Sequence, residues 1–126
     1  MKLIITSSIR KAEFEPIQDV FDLKVIKIAA KKALQGLGVK IKSSSKISGT
    51  LLRKVYLTSS SGAGRVVFLL KISNKTSVLV MVRAKNDKQI GANMTIKNKK
   101  FKNVLDKNLD VILKNLEEGS YEGFEL

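Results

Sequence analysis

Residues 65–86 read RVVFLLKISNKTSVLVMVRAKN. Two apolar runs flank a short polar gap; Arg65 opens the first run, and Arg83 and Lys85 close the second. Apolar runs of this length around a turn-forming gap predict the two strands of a hairpin, near Val66–Ile72 and Thr76–Val82. Side chains alternate faces along a strand. Val66, Phe68, Leu70 and Ile72 therefore share a face, as do Val78, Val80 and Val82, and both apolar faces should meet the core. Residues of like parity must then pair, which requires a loop with an odd number of residues. The loop Ser73–Asn74–Lys75 satisfies this and has a common length. Arg65 then stands opposite Arg83, with Lys85 diagonally nearby. Like charges directly opposite each other destabilise a sheet, and Asp87 is the acid at hand in the nearby sequence. The cluster reads either as an anion site or as strand-end cations directed into water.

Outward from the hairpin, Lys2 to Thr6 (KLIIT) predicts a first strand, and Pro16 interrupts the segment after it. A helix is expected from Asp19 to Leu37, with Leu23, Ile26, Ala30, Ala33, Leu34 and Leu37 in one stripe and Lys24, Lys31 and Lys32 on the other side. Phe21 and Ile28 fall near that lysine face, which suggests that it packs against another helix. Gly36 and Gly38 are the helix stops. Ser43, Ser44 and Ser45 sit in a polar loop, Leu51 to Thr58 reads as a strand, and TSSSGAG leads into the hairpin. A last helix is expected over Lys99 to Glu118, with Phe101, Val104, Leu105, Leu109, Ile112 and Leu116 at helical spacing. The order defines one α+β domain over residues 1–126: an N-terminal strand and helical region, a twisted antiparallel sheet of three or four strands, and a C-terminal helix.

Composition limits the chemistry. The chain of 126 residues has no cysteine and no histidine. Disulfides, thiolate zinc sites and a cysteine nucleophile are excluded, and so is the commonest general acid–base group. No metal or cofactor site is expected. No apolar run reaches membrane-spanning length, and the short, quickly charged start is not a signal peptide; the cytoplasm is the expected location. The formal charge is +13, and between Asp22 and Asp87 there are fourteen Lys/Arg and no acid. The last ten residues hold four acids and no base. A basic body of this kind suits RNA, DNA or an acidic protein.

The segment GTLLRKVYLTSSSGAGRVVFLLK (Gly49–Lys71), followed by LVMVRAKNDKQI (Leu79–Ile90), resembles the RelE/HigB-like toxins of type II toxin–antitoxin systems. The likeness rests on a Leu-Arg-Lys element, a Gly-rich loop, an Arg-Val-Val strand and a hydrophobic strand ending in Ala-Lys-Asn. It implies a metal-free endoribonuclease of the mRNA interferase type, an antitoxin partner and RNA lying on a concave sheet face. It matches Arg53 and Lys54 to the Leu-Arg-Lys element, Arg65 to the arginine opening the central strand, and Lys85 to the lysine of Ala-Lys-Asn. Arg83, where relatives often carry an aromatic residue, joins the site through the hairpin parity.

In such chemistry the 2′-hydroxyl attacks the adjacent phosphate. Lys54 or Lys85 would take its proton, and Arg65, assisted by Arg83, would steady the phosphorane. Arg53, Lys42, Lys46, Tyr56 and Lys88 are the expected RNA-binding residues, Tyr56 by stacking on a base or by donating a proton. Two alternatives remain: a non-catalytic nucleic-acid-binding module on the same basic face, and an interaction protein whose basic groove receives an acidic partner peptide.

Overall fold

A computed structural model describes residues 1–41, 47–90 and 94–126. The chain is an α+β fold around one mostly antiparallel sheet. Strands β1 (Lys2–Thr6), β2 (Val39–Ile41), β3 (Leu51–Ser59), β4 (Gly62–Lys71), β5 (Thr76–Ala84) and β6 (Tyr121–Glu125) lie in the order β2-β3-β4-β5-β1-β6. Among the described strands only the β1–β5 pair is parallel. The sheet is wider than the three or four strands expected after the N-terminal strand. β2 and β6, which flank it, carry no clear alternating pattern.

After β1 come a helical turn α1 (Ser7–Ile9), a π-helical turn over Arg10–Phe14 and a 3-10 turn over Glu15–Ile17. Pro16 sits at the start of that last turn, where its missing N–H costs nothing. The next helix, α2 (Leu23–Leu34), is shorter at both ends than Asp19–Leu37. The Asp22 carboxylate caps its start by accepting from Val25 N–H at 3.0 Å. Its end closes at Gly36, whose φ of +87° is left-handed. There Gly36 N–H donates to Ala33 O and Leu37 N–H to Lys32 O, each at 3.0 Å, a Schellman closure. Helix α3 (Lys99–Glu117) starts on Asn98, whose side chain accepts from Lys100 N–H, and fills nearly the range its spacing predicts. On its surface Lys102 pairs with Asp106 at 3.3 Å.

The hairpin register corrects two details of the parity expectation and keeps its result. Lys71 pairs with Thr76, so the loop is the four residues Ile72–Lys75 rather than three, with Lys75 left-handed at φ 51°. An even loop alone would set Arg65 out of step with Arg83. The register shifts between Val67/Phe68: Val67 pairs with Met81 but Phe68 with Leu79, so Val80 is an extra residue, a β-bulge. The two departures cancel, and Arg65 does pair with Arg83. The bulge also separates Val78 from Val82. Val78 shares a face with Leu69, and Val82 shares the opposite face with Val66.

Both faces of the central strands are buried. Val66 through Leu70 and Val78 through Val82 are all part of the core. On the face of Val66, Phe68 and Leu79, α2 brings Ile26, Ala29, Ala30 and Ala33. Phe21 is fully buried against Gly64 on this side, not on an outer helix face. The opposite face, with Lys54, Val67, Met81 and Leu69, lies under α3 and its approach, whose Met94, Phe101, Leu105, Leu109 and Ile112 are buried. None of the described helices is long and apolar enough to cross a membrane.

Candidate nucleic-acid interface

On the α3 side of the sheet the register lays Tyr56, Arg65 and Arg83 in one row across β3, β4 and β5. Lys54 lies one row further in, opposite Val67. Tyr56 is 57% exposed. The Arg65 guanidinium lies over its ring, with Cζ 5.1 Å from the centroid, and Lys54 Nζ lies 5.7 Å from the same centroid. Both are within cation–π range. Arg65 Nε is buried and has no hydrogen-bond partner. The sheet thus holds one guanidinium over a tyrosine ring, with its Nε unpartnered.

Arg83 does not join that pair as a free cation. Its Nε donates to Glu13 Oε1 at 3.1 Å, and its Nη2 donates to Glu13 Oε2 at 2.7 Å. Glu13 is only 3% exposed. It also accepts from Val82 N–H at 3.1 Å and from the Asn108 amide at 3.3 Å. Asp87 approaches Arg83 Nη1 at 3.8 Å. Its hydrogen bonding to the Glu13 carboxylate holds the Arg83 guanidinium above its ordinary pKa; burial opposes this, and the charges of Glu13 and Asp87 reinforce it. This corrects the picture of two uncompensated arginines: Glu13 supplies the counter-charge, which explains how Arg65 and Arg83 stand opposite each other without splitting the strands. The same carboxylate serves the β5 backbone. Val80 O accepts from the Asn108 amide at 2.9 Å, so Glu13 and Asn108 satisfy backbone groups of β5 beyond the residues that β1 pairs with.

Arg53 and Lys54 lie on opposite faces of β3. Arg53 Nη1 donates to Gly36 O at 3.2 Å, at the carbonyl end of α2 where a cation is favourable. Lys54 is buried and its Nζ donates to Met94 O at 3.2 Å. The two therefore do not converge. Lys85 is exposed just beyond β5; its N–H donates to Ala63 O, and its side chain borders a cleft of about 520 Å³ with Gly62, Ala63 and Asn86. Lys88 is exposed in the turn where Asp87 accepts from Gln89 and Ile90 N–H. Lys42 and Lys46, like the serines between them, lie outside the described residues. The acidic tail does not cover this surface, for it forms β6 at the far edge, where Glu122 pairs with Arg10.

The arrangement unites Tyr56, Arg65 and Lys54, ties Arg83 to Glu13, and turns Arg53 away. Glu13 and Asn108, which carry no signal in the sequence, organise the row. Glu13 is 69 positions from Val82, and no local pattern links residues so far apart. No family model matches the chain, and neither a curated protein nor a solved structure matches it.

Proposed function

We propose that the protein binds RNA at the Tyr56–Arg65 end of the sheet and cleaves it, as the RelE/HigB-like resemblance implies. The observation that carries this reading is the Arg65 guanidinium held over an exposed tyrosine ring with Nε unpartnered. A fixed, permanently charged fork suits a phosphodiester, and a tyrosine face suits an unstacked base. In the reaction the ribose 2′-oxygen attacks phosphorus and the bond to the 5′-oxygen breaks, the 5′-oxygen taking a proton from water, which leaves a 2′,3′-cyclic phosphate and a 5′-hydroxyl. Arg65 stabilises the extra negative charge on the phosphorane, and Lys54 adds a second positive charge beside it. Lys85, exposed at the same end of the hairpin, is the candidate to take the 2′-hydroxyl proton. An antitoxin is the expected protein partner under this reading.

The test is cleavage of messenger RNA, with and without ribosomes, by wild type and Arg65→Ala. Loss of cleavage in the variant supports the assignment, and undiminished cleavage removes Arg65 from the site. A second reading, RNA binding without cleavage, is favoured by the engagement of two of the four candidate catalytic cations: Arg83 by Glu13 and Lys54 by Met94 O. It predicts salt-dependent RNA binding with the RNA recovered intact.

A further inference from the structure

Helix α2 presents a face that the described chain leaves open. Lys24, Lys27, Ile28 and Lys31 stand at i, i+3, i+4 and i+7, so they share one side. Together with Leu23 and Leu126 they line a cleft of about 410 Å³. Its lining is apolar at Leu23, Ile28 and Leu126 and basic at the three lysines. Ile28 is 51% exposed. It also borders a smaller cleft reaching Tyr56 and Thr58 at β3. The sequence pattern suggests a helix packed on this lysine face, and among the described residues α2 and Leu126 alone form the cleft.

We propose that this groove docks an acidic amphipathic helix of another protein. Apolar side chains set among lysines along one helix combine the two elements of an interface, an apolar contact and polar surroundings. The charge is of one sign, and α2 has no acid within Leu23–Leu34. A second copy docking symmetrically through this same face would set lysines against lysines. RNA would satisfy the lysines but offers no aliphatic side chain for Leu23 and Ile28. An acidic helix satisfies both: an apolar pair one turn apart enters the cleft, and Glu or Asp on the flanks meets Lys24, Lys27 and Lys31. The twelve residues of α2 give about 18 Å of length, enough for about three turns of a partner lying alongside. The surface stands apart from Arg65 and independently of the RNA reading.

The test is fluorescence anisotropy with a labelled synthetic helix of about four turns, carrying a leucine stripe and glutamates elsewhere. A control peptide has glutamines in place of the glutamates. The acidic peptide binds the wild-type chain, and the control binds at least about tenfold more weakly. Lys27→Glu and Ile28→Glu each weaken the acidic peptide by about tenfold, whereas Arg65→Ala does not. Both altered side chains lie at the surface, and an unchanged circular dichroism spectrum verifies folding. Equal binding of the two peptides, or full affinity in Ile28→Glu, overturns the proposal. So does an RNA oligonucleotide that displaces the peptide and itself loses affinity in Ile28→Glu.

Discussion

Glu13 grips Arg83 in a two-point ion pair, Nη2 to Oε2 at 2.7 Å and Nε to Oε1 at 3.1 Å, across 70 positions of sequence. The carboxylate comes from the π-helical turn after β1, and the guanidinium from the end of the hairpin's second strand. Because Glu13 also receives Val82 N–H and the Asn108 amide, one side chain joins that turn, β5 and α3.

Removing Glu13 leaves a half-buried guanidinium, a backbone N–H and an amide short of an acceptor. Glu13→Ala is expected to cost about 3 kcal/mol of folding stability. Glu13→Gln, which keeps an acceptor, costs less. Urea unfolding at an unchanged m-value measures both. A Glu13→Ala effect below about 0.5 kcal/mol, the range of an ordinary surface change, would deny the pair this role.

The pH behaviour stems from the raised affinity of Arg83 for its proton, caused first by the Glu13 hydrogen bond. A group whose pKa is higher folded than unfolded contributes its full stabilisation below the unfolded value and loses it as pH climbs through the folded one. For an arginine that window lies in strong alkali. The stability difference between wild type and Arg83→Met should therefore be the same at about pH 7 and about pH 9. Unfolding curves at the two pH values test this, and a shrinking difference would contradict it.

Gly64 shows how tightly α2's side of the sheet is closed. A Cβ added there would stand 2.6 Å from the Phe21 ring and 2.8 Å from Arg83 O. Gly64→Ala is expected to destabilise by about 1–3 kcal/mol through overpacking. Phe21→Leu in the same chain should return part of that loss, measured as a double-mutant cycle.

Tyr56 separates binding from folding. Its ring is largely exposed, so Tyr56→Ala changes stability by less than about 1 kcal/mol. If a base stacks on it, single-stranded RNA affinity falls by about 1–3 kcal/mol, tenfold or more. Tyr56→Phe keeps the ring and should keep the affinity. Anisotropy titration with labelled RNA at two salt concentrations reads both the loss and the number of phosphate contacts.

Elements with strong side-chain periodicity were legible in the sequence: β1, the hairpin strands, α3 and the body of α2. The pairing of Arg65 with Arg83 was legible too, although parity reaches it through a three-residue loop and a regular strand, and the chain uses four residues and a bulge. β6 was not legible. Its residues YEGFE are mostly exposed and include a glycine, so neither burial nor propensity marks them; their pairing with β1 rests on backbone bonds. The site was legible by residue type more than by geometry. Period-two alternation already sets Arg53 and Lys54 on opposite faces, but the engagement of Arg83 and Lys54 depends on Glu13 and Met94, which come from distant segments.

β1 occupies the slot between β5 and β6. Residues 2–6 leave the ribosome well before their neighbours on both sides, 76–84 and 121–125. Until then the first strand has no lateral bonding partner, and helix α2 has only part of a surface to rest on. Such long-range closure slows folding and postpones it until residues 121–125 have been made. The Arg65–Arg83 row is assembled by that same closure, because Glu13 reaches it only when β1 is seated beside β5.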